Sequence, residues 1–149
     1  MRLTSLATSL GLAACAADLP LPEEFKPVET PTLLEHTRKS EVQMQALVSG
    51  PLDFTGPCVR IPDGQGGWNT IIVDRGEARM AQDAEGLAMV TPAHVFRQGD
   101  MFESAGGWIG KHDSRKMDGL MPHAAECDGE LVVAYSPGVP DIILRDSPQ

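Results

Sequence analysis

With 149 residues, 21 of them acidic against 12 basic, the chain has room for one modest domain and carries a formal charge of −9. That charge repels phosphate backbones and anionic headgroups, which excludes nucleic acid as an expected partner and argues against a basic membrane-binding face. Aromatic residues are 5% of the chain, too few for a base-stacking platform or for a strip of sugar-binding rings.

Residues 1–14 carry one cation, Arg2, and then an uncharged run of Leu, Ala, Gly, Ser and Thr, the layout of a secretory signal. A spanning helix needs about 20 apolar residues, and this run is closed sooner by Asp18, Pro20 and Pro22. Leu12-Ala13-Ala14-Cys15 resembles the lipobox of bacterial lipoproteins. The resemblance implies diacylglycerol transfer to the Cys15 thiol, cleavage before Cys15 and acylation of the new amino terminus with chains such as palmitate. Ala16, in place of the Asp linked to inner-membrane retention, implies the outer membrane, facing the periplasm. Two other readings stay open. Ala14-Cys15-Ala16 is also an A-x-A site that would release a soluble periplasmic or secreted protein, and the run is alternatively a buried helix with an incidental cysteine. With Cys15 consumed by lipid, Cys58 and Cys127 remain as an even pair in an oxidising compartment. One disulfide between them is the simplest expectation, and a pair of buried free thiols is the alternative.

Residues 15–40 read as a Pro/Glu-rich tether ahead of a β-rich globular domain at 41–149. Pro20, Pro22, Pro27 and Pro31 favour extended backbone, while Glu23, Glu24 and Glu29 keep it solvated. Fully extended, residues 16–31 would reach about 50 Å at roughly 3.1 Å each, holding the body off the bilayer. Residues 32–39 are ambiguous, a helical turn being one option, with Leu33 and Leu34 available to pack on the body.

From residue 42 the pattern turns to short strands. Val42, Met44, Ala46 and Val48 alternate with Gln43, Gln45 and Leu47 at the period of two that a half-buried strand requires. Residues 58–61 lead into Pro62-Asp63-Gly64-Gln65-Gly66-Gly67 and return at 68–74, where Ile71, Ile72 and Val73 supply β-branched bulk, so this stretch predicts a hairpin. Further strands are predicted at 77–81, 87–91, 94–97 and 131–135, separated by Arg75-Gly76, Glu85-Gly86 and Gly99-Asp100. Short strands at this spacing predict a mainly β fold, a small antiparallel barrel or a sandwich.

The order of parts resembles a group of small exported bacterial proteins, often lipoproteins, that carry a compact OB-like β-barrel with no assigned activity. The resemblance rests on Gly56-Pro57-Cys58-Val59-Arg60-Ile61, the apolar strand at 71–73, the Gly-Asp step inside Val95-Phe96-Arg97-Gln98-Gly99-Asp100-Met101, Gly106-Gly107-Trp108, and a second cysteine before the last strand. Val73-Asp74-Arg75 stands where that group commonly carries Trp-Pro. In such a barrel a Cys58–Cys127 bridge would clamp the closure.

One stretch, 111–128, gathers potential ligands. His112, Asp113, Asp118, His123 and Glu126 suit zinc or manganese by type, but no H-E-x-x-H or comparable frame organises them, and an exposed loop is the plainer reading. The glycines at 64–67 lack the Lys-Ser/Thr of a phosphate loop, and no serine sits in G-x-S-x-G. Gly-Gly-Trp occurs twice, placing Trp68 and Trp108 either in the core or on a candidate binding face. The sequence implies no cofactor. Its leading functional reading is a non-catalytic envelope lipoprotein that binds another envelope protein or a glycan. The alternative is a small periplasmic metal-dependent hydrolase using residues 112–128, with His112 and His123 as metal ligands.

Overall fold

A computed structural model describes residues 19–36, 46–110, 120–121, 126–127 and 129–135. Every regular element among them is a strand: β1 (Lys26–Pro27), β2 (Leu34–His36), β3 (Ala46–Pro51), β4 (Arg60–Pro62), β5 (Trp68–Asp74), β6 (Arg79–Asp83), β7 (Gly86–Val90), β8 (Val95–Arg97), β9 (Met101–Gly110), β10 (Leu120–Met121) and β11 (Glu130–Ala134). They form two sheets. One is four-stranded and antiparallel in the order β1-β6-β7-β8, and the other runs β10-β2-β5-β11-β9-β3 with β4 also paired to β5.

Strand β5 organises the larger sheet. Its run Thr70, Ile71, Ile72 and Val73 is buried throughout, as a central strand covered on both faces must be. β11 lies parallel along one edge of β5, from Glu130 opposite Asn69 to Ala134 opposite Val73. On the other edge β4 runs antiparallel beside the first half, and β2 runs parallel beside the second. The sheet is therefore mixed, which corrects the antiparallel expectation. Nor are the two sheets closed into a barrel. Where the chain runs on from β3, the isolated Asp53–Arg60 bridge joins it to the start of β4.

The side-chain period of two sorts the apolar residues into three layers. Between the sheets lie Val48, Ile71, Val73, Phe102 and Val132 from the larger one and Met80, Met89 and Phe96 from the smaller, with Leu52, Phe54, Val59 and Ile61 filling in. Behind the larger sheet, Leu34, Ile72, Leu131 and Val133 surround Cys58 and Cys127. On the outer face of the smaller sheet, Phe25 and Leu21 cover Ala81, Ala88 and Val90. Met80 thus faces the first layer and Ala81 the third.

The hairpin prediction at 58–74 corresponds to β4 and β5, joined by a turn in which the Asp63 carboxylate accepts from the amides of Gln65 and Gly67 at 2.7 and 2.8 Å. Gly64 and Gly66 take positive φ there. The expected tether needs correction over its described part. Residues 25–36 belong to the body: Lys26 pairs with Gln82, Thr32 bridges to Cys58, and Leu34 is fully buried opposite Ile72. The backbone is extended as the prolines require, but it is packed. The part of the first predicted strand at 42–45 lies outside the described residues.

Candidate functional site

The disulfide is present. Cys58, just ahead of β4, is joined to Cys127, just ahead of β11, with their Cα atoms 5.4 Å apart. Both sulfurs sit among the apolar side chains behind the larger sheet. Cys15, His112, Asp113, Asp118 and His123 lie outside the described residues, while Glu126 is exposed beside the bridge. Among the described residues no three His, Cys, Asp or Glu side chains are grouped to hold a metal ion.

The two tryptophans do not share a face. Trp108 stands opposite Val132, which in turn stands opposite Ile71, so it points to the inter-sheet side. Trp68 is three residues from Ile71 and by strand parity points to the other side, where the Arg60 guanidinium lies 4.0 Å from its ring centre. Trp108 is 46% exposed and Trp68 is half-buried.

Two charge networks flank one cleft. Asp53 is a buried carboxylate on the loop after β3. It accepts from Arg60 Nε at 2.6 Å, from the Thr55 hydroxyl at 2.8 Å and amide at 3.2 Å, and from Gln98 Nε2 at 3.0 Å. Burial alone would push this carboxyl up, but the hydrogen bonds from Arg60, Thr55 and Gln98 outweigh it and hold it at about 2. The Gln98 side chain closes the loop from its other end by accepting from the Phe54 amide at 2.6 Å.

In the second network, Arg97 on β8 makes a two-pronged contact with Asp83 of β6 at 2.6 and 2.8 Å and reaches Glu85 at 3.3 Å. Hydrogen bonding from Arg97 lowers the Asp83 carboxyl to about 2 and raises Arg97 in return. Between the networks lies a cleft of about 410 Å³ lined by Phe54, Thr55, Glu85, Leu87, Arg97 and Gln98.

Chemically this cleft is suited to recognition. Both carboxylates with strongly lowered pKa values are already committed to arginine, so at neutral pH they serve as fixed acceptors and not as proton carriers. Apolar walls from Phe54 and Leu87, with the exposed Glu85 and Gln98 at the rim, offer shape and hydrogen bonds. No sequence motif marks these residues. The signal they leave is a charge inside apolar runs, Leu52-Asp53-Phe54 and Val59-Arg60-Ile61, because a buried charge needs a partner. No helix of the described residues is long and apolar enough to cross a membrane. Comparison with protein-family models, with curated proteins and with solved structures finds no match.

Proposed function

We propose that this chain is an exported cell-envelope lipoprotein, anchored through acylated Cys15, whose β-rich body binds another envelope protein or a glycan without catalysing a reaction. The observation that carries this reading is the pairing of Cys58 with Cys127, which leaves Cys15 as the remaining cysteine, placed directly after Leu12-Ala13-Ala14. A buried disulfide favours an oxidising compartment, and the odd thiol then has the place and neighbours of a lipid acceptor. Two or more acyl chains give stable anchoring, where one alone is marginal.

The binding half of the reading draws support from the surface. Leu47 is 61% and Met101 40% exposed, and both project to the same side of the β3–β9 pair, since Leu47 stands opposite Ala105 and Met101 lies four residues from it. Large apolar side chains left in water mark surface on which a partner docks. Intact-mass analysis of the membrane-extracted protein tests the anchor. The expected product starts at Cys15, carries acyl mass there, and lacks two hydrogens at Cys58 and Cys127. Labelled palmitate should enter the wild type and be absent from Cys15→Ser. A chain that retains Met1 and takes up no label overturns the reading.

A further inference from the structure

The described chain begins already attached to the body. Residues 19–25 run as a strap over the outer face of the four-stranded sheet, where Leu21 and Phe25 pack on Ala81, Ala88 and Val90. Arg79 donates to the Leu19 carbonyl at 3.3 Å, which pins the start of the strap, and Lys26 then enters the sheet opposite Gln82. Leu19 is four residues from Cys15, and four residues at full extension span at most about 14 Å. A tether running free to residue 31 would reach about 50 Å.

Resting on the proposed lipidation of Cys15, we infer that the body is seated against the bilayer that holds its acyl chains, with the strap and the outer face of the four-stranded sheet as the membrane-facing surface. The occupant of that face is the headgroup layer of the same bilayer. The face is not basic: Glu23 and Glu24 are exposed beside Lys26, and Pro20 and Pro22 of the strap are exposed as well. Headgroup attraction therefore does not supply the contact. The short covalent reach does, because an anchor within about 14 Å of Leu19 leaves the body little room to turn this face outward. The two-sheet body then presents its opposite, larger sheet to the periplasm, the side from which a partner would approach.

Glu23 and Glu24 report on the contact because both are exposed in the strap, within the surface assigned to the membrane. The acylated protein is reconstituted into phosphatidylcholine vesicles and treated with a water-soluble carbodiimide and glycine ethyl ester, and modification of the Glu23 and Glu24 carboxylates is followed by peptide mass spectrometry. The reference is the Cys15→Ser chain lacking residues 1–14, free in solution. Both carboxylates in vesicles should react several-fold more slowly than in the reference. Inserting about 20 Gly/Ser residues between Ala17 and Asp18 adds roughly 25 Å of average reach and should restore the reference rate. Equal rates in vesicles and solution, with acyl mass confirmed on the Cys15 peptide, overturn the seated orientation and leave the lipoprotein reading standing. Protection that survives the insertion overturns the role given to short reach. A Cys15 peptide without acyl mass overturns both.

Discussion

Asp53 shows how one side chain ties together segments that are distant in sequence. Its two oxygens take donors from Arg60, Thr55 and Gln98, so the loop after β3, the start of β4 and the chain after β8 all converge on one buried charge. The folded carboxyl sits at about 2, against an ordinary value of 3.8. As pH falls, the unfolded chain takes up a proton first at this site. The stability Asp53 contributes is therefore fully present above about pH 4 and is lost as pH falls through about 2. The shift corresponds to at most about 2 kcal/mol. Asp53→Asn also removes the charged acceptor shared by Arg60, Thr55 and Gln98, so it should destabilise by at least about 2 kcal/mol at neutral pH. Urea unfolding of both proteins across this range checks the prediction. The gap between them should close on acidification, and an unchanged gap would show that the lost stability does not come from the ionised form.

At the scale of the element, β9 is the strand that its own glycines conceal. It pairs with β3 along one edge and with β11 along the other, yet no strand is predicted there from the sequence, where Gly106-Gly107 interrupts the side-chain pattern. The structure supplies the reason for glycine. A Cβ at Gly106 would lie 1.8 Å from the Val133 carbonyl oxygen, a backbone atom that no rotamer change can move aside. Gly106→Ala should accordingly cost about 3 kcal/mol or more, while Ala105→Gly, at the exposed neighbour, should cost about 1 kcal/mol or less. Thermal unfolding of the two variants separates close approach from general strand propensity. The same physics sets what can be read from sequence. β5 is legible to its ends because Ile71-Ile72-Val73 is β-branched and bounded by turn residues. The strap at 19–25 is legible as extended backbone but not as packed, since Leu21 and Phe25 gain their burial from Ala81 and Ala88, about 60 residues away. In the candidate site the cysteine pair follows from counting, whereas Asp53 and Gln98 are joined only by the fold, 45 residues apart in sequence.

For the whole molecule, the Cys58–Cys127 bridge spans the part of the chain that builds most of both sheets. Its sequence separation of 69 encloses β4 through β10, and its far end lies just before β11, which reaches β5 after a turn at Gly129 with φ near +82°. β11 is held on one side by β5 and on the other by β9, so the register of the larger sheet depends on how its approach is fixed. A cross-link around a loop of this length lowers the entropy of the unfolded chain by an amount equivalent to about 4 kcal/mol on the chain-entropy model. For a domain whose total stability is of order 5–15 kcal/mol, that is a large share. The Cys58→Ser, Cys127→Ser double variant should lose on the order of 10–20 °C in melting temperature while keeping β-type circular dichroism below its transition. Because both sulfurs are buried in the layer behind the larger sheet, a reducing agent should leave the native protein unchanged until denaturant opens that layer. A wild-type melting point that is the same with and without prior unfolding and reduction would place the stability in the packed sheets and not in the covalent link.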